Sequence, residues 1–248
     1  MSLLLLLQAD LSGVVQTGLT AAQQLAHWQM PSTWFKAARV GAEILLRTFL
    51  QTGLFIVAHD AMHGSLIPAQ PRWNHRLGRV ALLLYACLPY GDCHRKHLQH
   101  HRCPGGSSDP DFHNGVNAHP TGWYLHFMRG YLSPPQICGL AAAWICMAAL
   151  MASTTATIAL NIAVFWVVPL VLSSMQLFLF GTYLPHRHGQ AGDEAAHKVE
   201  SLPLPALISL LSCYHFGFHW EHHQHPEAAW FELPSVHHRR WRGATTAP

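Results

Sequence analysis

Lys96-His97-Leu98-Gln99-His100-His101-Arg102 is the stretch on which the reading of this chain turns. Its HxxHH pattern returns in His219-Trp220-Glu221-His222-His223. A related pair, His59-Asp60-Ala61-Met62-His63, precedes it, and Leu184-Pro185-His186-Arg187-His188 lies between the two copies. Helical neighbours at i,i+3 and i,i+4 share a face, so each group can present its imidazoles in one direction. Histidines scattered at random would seldom produce the pattern twice.

The residues around the groups are apolar. Half of the 248 residues are hydrophobic and 11% are charged, against about 25% charged in a soluble domain. That deficit predicts one all-α integral membrane domain over residues 1–248. The net charge of +3 makes no case for nucleic acid. Six cysteines without a CxxC pair do not suggest a disulfide framework.

Four apolar segments read as transmembrane helices, at about 2–21, 34–58, 137–152 and 157–181. Glu43 and Arg47 sit inside the second at i,i+4 spacing and are expected to pair. Two shorter runs, 80–90 and 202–214, suit interfacial or re-entrant segments that do not span. Residues 64–76 and 102–136 read as polar and rich in turns. A single site needs every histidine group on one membrane face, hence an even number of spans between consecutive groups. Counts of zero, two and zero satisfy this, with a histidine-rich cap on the face that also holds both termini. Twelve of the fifteen Lys and Arg residues, from Arg72 onward, fall on that face, which the positive-inside rule makes cytoplasmic. The expected location is a bacterial inner membrane or its equivalent.

Imidazole suits zinc, copper, iron and nickel. Eight histidines, His59, His63, His97, His100, His101, His219, His222 and His223, or nine with His186, are too many for one ion and fit two. Iron suits a membrane-surface site that activates O2. Zinc would point to hydrolysis, for which no acyl or phosphoryl machinery is evident. Carboxylates are expected to brace the outer ring nitrogens, and Asp60, Asp109, Asp111 and Glu221 stand beside the groups. The competing reading for each is an ordinary loop carboxylate or helix cap. His94, His188 and His215 lie near the groups, as supporting or surface residues. The remaining histidines, His237 and His238 among them, read as interfacial or loop residues.

Boxes of histidine between paired spans resemble the membrane fatty-acid desaturase and hydroxylase superfamily. Within it, the motifs resemble those of the β-carotene ketolases. The stretches that carry the resemblance are Phe55-Ile-Val-Ala-His59-Asp-Ala-Met-His63-Gly64-Ser65-Leu66, Lys96-His97-Leu-Gln-His100-His101 with Asp109-Pro-Asp-Phe-His113, Gln176-Leu-Phe-x-Phe-Gly181-Thr-Tyr-Leu-Pro-His186-Arg187, and Cys213-Tyr-His-Phe-Gly217-x-His219-x-Glu221-His222-His223. They run from about residue 45 to 233.

The resemblance implies a di-iron centre held by the nine histidines. It adds His186 as a ligand and makes Thr182, four residues before it, a candidate water-binding neighbour. It implies O2 as co-substrate, electrons from a ferredoxin-type donor, and a carotenoid drawn from the lipid bilayer. The carbon-4 methylene of a β-ionone ring would become a ketone through two hydroxylations and loss of water. β-Carotene would give echinenone and canthaxanthin, and hydroxylated rings would lead towards astaxanthin. The rivals are a carotenoid hydroxylase or an acyl-lipid desaturase of the same superfamily. More distant is a His-rich membrane metal transporter, which would need polar ligands along mid-membrane that 137–181 does not offer.

Overall fold

The computed structural model describes residues 32–113, 118–150, 154–188 and 199–245, and these are helices joined by turns, with no strand among them. The expected span at 2–21 lies outside the described residues. Helix α1 is Ser32–His63, α2 Pro71–Ala86, α3 Tyr90–Arg102, α4 Pro120–Tyr131 and α5 Pro134–Leu150. A continuous helical run, α6, covers Thr155–His186, and α7 (Ala206–Cys213), α8 (His219–Gln224) and α9 (Leu233–Thr245) follow.

Two of these, Thr33–His63 and Thr155–His186, are each long and apolar enough to cross a membrane. A third candidate arises if α4 and α5, broken at Leu132-Ser133, count as one bent span. This is a helical membrane protein, with two or three candidate spans among the described residues. Helix α7 has eight residues, about 12 Å at 1.5 Å per residue, and is too short to span.

The chain divides into two compact units, Met1–Thr48 with Cys138–Leu172, and Phe49–Ile137 with Ser173–Pro248. In the first, Arg47 Nη2 lies 3.0 Å from Glu43 Oε1, so the expected intrahelical pair is formed. The Arg47 guanidinium also lies over the rings of Phe165 and Trp166, 5.3 and 5.9 Å from their centroids. A charge at this depth is tolerated when it is paired and covered by polarisable rings. Thr154 caps α6 by accepting a hydrogen bond from the Thr157 N–H at 3.3 Å.

The second unit holds every histidine group. Its segments depart from the sequence expectation in two places. Residues 64–76 are not all loop, because α2 starts at Pro71, whose missing N–H costs nothing at a helix start. Asn74 is buried there, donating to the Ala61 carbonyl at 2.6 Å and accepting from the Ile67 N–H at 3.0 Å. A Cβ on Gly78 would stand 2.7 Å from the Ala61 Cβ, so only glycine lets α2 close on the end of α1. Helix α2 then ends at Cys87, in the left-handed conformation (φ 54°), and Pro89 precedes α3. The apolar run at 80–90 is thus a helix end, a sharp turn and a helix start.

The other departure is α4, inside the stretch read as polar and turn-rich. Trp123 from α4 is buried against Phe112 and Phe178, and its indole N–H donates to the Asp111 carbonyl at 2.8 Å. Tyr124 reaches Ser174 on α6 at 2.7 Å. Periodicity was masked here by the glycines and prolines on either side. Elsewhere in the unit, Thr52 on α1 lies 2.8 Å from Ser173 and 2.7 Å from Gln176 on α6. Such contacts between membrane helices contribute about 0.6–2 kcal/mol each. Tyr214, also left-handed (φ 48°), stacks on Phe49 at 4.4 Å and donates to its carbonyl at 3.0 Å, tying the α7–α8 turn to α1.

Candidate metal centre

Helix α1 delivers His59 and His63 from its last two turns, α3 carries His97, His100 and His101, α6 ends on His186, and α8 carries His219, His222 and His223. The structure brings all nine together, in two groups that could each hold a metal ion. His59, His63, His97, His101 and His222 form one. His100, His186, His219 and His223 form the other. Within each group the ligand atoms lie within 4.8 Å of one another. Both HxxHH copies are divided between the groups. The i,i+4 pair His97/His101 joins the first and sends His100 to the second. The pair His219/His223 joins the second and sends His222 to the first.

The donor atoms point inward at one another. His63 Nε2 stands 2.6 Å from His97 Nε2, and His101 Nε2 2.9 Å from His222 Nε2. In the other group, His219 Nε2 lies 3.1 Å from the Nε2 atoms of both His186 and His223, and His100 Nε2 lies 3.2 Å from that of His223. A neutral imidazole has one donor and one acceptor nitrogen, so His219 Nε2 cannot satisfy two like neighbours by hydrogen bonding alone. Nitrogens about 2.1 Å from a shared cation and at right angles around it would be ~3 Å apart, which is the spacing seen.

Protonation state points the same way. Burial, then the repulsion of neighbouring imidazoles, holds His97, His101, His219, His222 and His223 below the usual histidine range. That direction favours the neutral imidazole, the form a ligand needs. His100 behaves differently. Burial opposes its charge, but the hydrogen bond and charge of Asp109, with Asp111 behind, raise it. Its Nδ1 lies 3.0 and 2.9 Å from the two Asp109 oxygens, the geometry of an N–H donating to a carboxylate. Asp109 also accepts from the N–H groups of Gly105 at 2.8 Å and Asp111 at 2.9 Å. By donor chemistry and spacing, these residues fit two metal ions.

The other candidates fall into different places. Asp60 accepts from the Trp230 N–H at 3.1 Å and lies 3.5 Å from His59 Nδ1, at the limit of a hydrogen bond. Asp111 accepts from the Tyr131 hydroxyl at 2.7 Å, and burial pushes its carboxyl up to about 6. Glu221 does not face a ligand ring: Ser201 donates to it, His237 Nδ1 lies at 2.7 Å, and Arg240 at 3.4 Å. Burial works against its charge, but the hydrogen bonds from Ser201 and His237 outweigh it and hold Glu221 below the usual range. Thr182 is buried in a π-helical turn, Leu179–Tyr183, just before His186. Such turns insert a residue into a helix and re-aim its neighbours.

His94 is not in either group and packs with His75 and Tyr90. His188 is exposed and pairs with Glu200 at 3.0 Å. His215 lies 3.1 Å from Ser209 and stacks beside Trp230.

His237 is the residue that the sequence reading missed. Its place in a basic tail suggests an interfacial residue, yet it holds Glu221 and packs on Phe218 at 4.7 Å, fixing α8 from behind. Only the fold brings α9 to that place. A hydrogen bond to a charged group contributes about 1.5–3 kcal/mol. We therefore expect His237→Ala to lower the melting temperature and the yield of product, whereas His238→Ala, whose ring is exposed and bonded to the Pro234 carbonyl, should leave both unchanged. Thermal melts and pigment assays on the pair check this.

A cavity of about 50 Å³ is lined by histidines of both groups. Its lining includes His59, His97, His100 and His219, the apolar Phe55, Met62, Phe127, Leu177 and Phe216, and the polar Asp111, Tyr131, Thr182 and Cys93.

Fold and site together define a helical membrane protein with two histidine groups that could each hold a metal ion. The fatty acid desaturase family model matches residues 33–142 and 135–246. A β-carotene ketolase from Paracoccus sp. (strain N81106 / MBIC 01143) is 38% identical, covering 92% of this chain and 94% of its own. A β-carotene 4-ketolase 3 from Haematococcus lacustris is 37% identical over 96% of this chain and 76% of its own. A zeaxanthin 4-ketolase from Chlamydomonas reinhardtii is 39% identical over 85% of this chain and 47% of its own. No solved structure matches the chain. The chain belongs to the fatty acid desaturase family, in its β-carotene ketolase branch.

Proposed function

We propose that this protein is an O2-dependent carotenoid oxygenase that converts the carbon-4 methylene of β-ionone rings to a ketone. The observation that carries the reading is the pair of histidine groups facing one cavity with apolar walls. The kinship with β-carotene and zeaxanthin ketolases supplies the substrate class.

In this reading His59, His63, His97, His101 and His222 hold one iron, and His100, His186, His219 and His223 the other. The iron pair, when bound, supplies the oxidising power that O2 and an external reductant, a ferredoxin-type protein, deliver to a C–H bond. The chain does the rest. Asp109 fixes the orientation of His100. Phe55, Phe127, Leu177 and Phe216 keep water out and present an apolar surface to a ring arriving from the bilayer. The cavity has room for one or two waters, at about 30 Å³ each, so a ring enters only as side chains turn aside. Met62, unbranched and flexible, is suited to that.

Residues 1–248 form one oxygenase domain of a bacterial inner membrane or equivalent. Its site faces the cytoplasm, on the face that holds most of the Lys and Arg.

Expression in a host that accumulates β-carotene should give echinenone and canthaxanthin. A product carrying only hydroxyl groups would move the protein to the carotenoid hydroxylases, and an unchanged pigment would overturn the reading. Iron analysis of the purified protein should find two ions per chain, a stoichiometry that a metal transporter would not hold.

A further inference from the structure

Making a ketone requires the same carbon to be oxidised twice. In each round one O2, two electrons and two protons turn a C–H into C–OH and release a water. The geminal diol formed in the second round loses water to give the ketone. After the first round the ring carries an alcohol, which must stay bound with its remaining C4–H turned to the oxidant. Release at that point would make the enzyme a hydroxylase.

The cavity contains a group suited to hold that alcohol. Asp111 is buried and fixed on three sides. Its N–H donates to Asp109, its carbonyl accepts from Trp123, and its Oδ1 accepts from the Tyr131 hydroxyl. Among the described residues its Oδ2 receives no hydrogen bond. Asp109 differs, since both of its oxygens are engaged, by His100, Gly105 and Asp111. A carboxylate offers about four acceptor sites, and a buried one left partly unused calls for a partner. Asp111 lines the cavity together with His59, His97, His100 and His219, and a carboxylate oxygen of Asp111 lies within 4.8 Å of a His100 ring nitrogen.

We propose that Asp111, clamped by Tyr131, is the subsite that accepts the hydroxyl of the half-oxidised ring, and that it thereby commits the reaction to ketone rather than alcohol. This rests on the ketolase reading above. The alcohol donates to Asp111, which holds its oxygen at the rim of the second histidine group and leaves the remaining C4–H free to face the metal-binding nitrogens. A site built to hydrogen-bond a hydroxyl discriminates strongly against the ring lacking it.

Asp111→Asn and Tyr131→Phe test the assignment. In cells making β-carotene, both variants should raise the ratio of 4-hydroxy to 4-keto products by about tenfold and keep two irons per chain. Binding to the iron-loaded protein without O2 or reductant gives a readout independent of turnover. The wild type should prefer a 4-hydroxylated carotenoid over β-carotene by about tenfold, and the variants should lose that preference. An unchanged product ratio in variants that retain iron would overturn the proposal. So would loss of iron together with the first oxidation, which would make Asp111 a support of the metal site. If Asp111→Asn does not accumulate, Tyr131→Phe carries the same test, since it keeps the ring and removes only the clamp. Failure of the wild type to make any ketone would instead sink the functional reading.

Discussion

Replacing His222 by alanine should abolish ketone formation, to about a hundredth of wild type or less, and lower the iron content from two ions towards one. His186→Ala should do the same from the other group. Loss of a residue that merely supports a ligand costs about 10- to 100-fold in affinity or activity, so loss of a ligand itself should cost at least as much. The geometry adds a discriminating detail. His222 Nε2 lies 2.9 Å from His101 Nε2 in the five-histidine group, whereas His186 Nε2 lies 3.1 Å from His219 Nε2 in the four-histidine group. The two variants should therefore lose different ions, and the double variant should hold none. Iron analysis with pigment chromatography measures both. Full activity with both irons in either single variant would remove that histidine from the ligand set.

The second large effect concerns Asp109. It orients His100 through both oxygens and is itself held by the N–H groups of Gly105 and Asp111. With Asp109→Ala the His100 ring loses its anchor, and two buried backbone donors lose their acceptor. Removing one partner of a buried charged pair costs about 3–5 kcal/mol. We expect activity to fall by 10- to 100-fold, with faster loss of iron to a chelator. Asp109→Asn keeps the shape and should be the milder change. The contrast with Asp111→Asn is informative, because that variant should change which product forms while iron is kept.

Much of this protein is written in local sequence. The two HxxHH copies, the apolar segments around α1 and α6, and the low charge define a helical membrane protein with clustered imidazoles. Those signals are local: helical spacing sets which side chains share a face, and a membrane core admits few charges. The Glu43–Arg47 pair was legible for the same reason.

Other features were hidden. Helix α4 was obscured by flanking turn formers, and it is held by Trp123 against Phe112 in the preceding loop and Phe178 on the distant α6. Helix α2 depends on Gly78 closing against Ala61. His237 looks like any basic-tail histidine until α9 sets it against Glu221. Glu221 sits between two histidines in sequence, yet its carboxylate points towards Ser201, His237 and Arg240.

The HxxHH stretches with which the reading began show where the boundary falls. Their spacing determined that three imidazoles leave one side of a helix and meet a common region. It could not determine whether that region is one centre or two. Tertiary structure divided each copy between two groups, His100 away from His97 and His101, and His222 away from His219 and His223. The physical reason is that a turn of helix aims i and i+4 nearly alike but offsets the residue between them. Where that offset side chain finds its partners depends on how α1, α3, α6 and α8 are placed, which no single helix specifies.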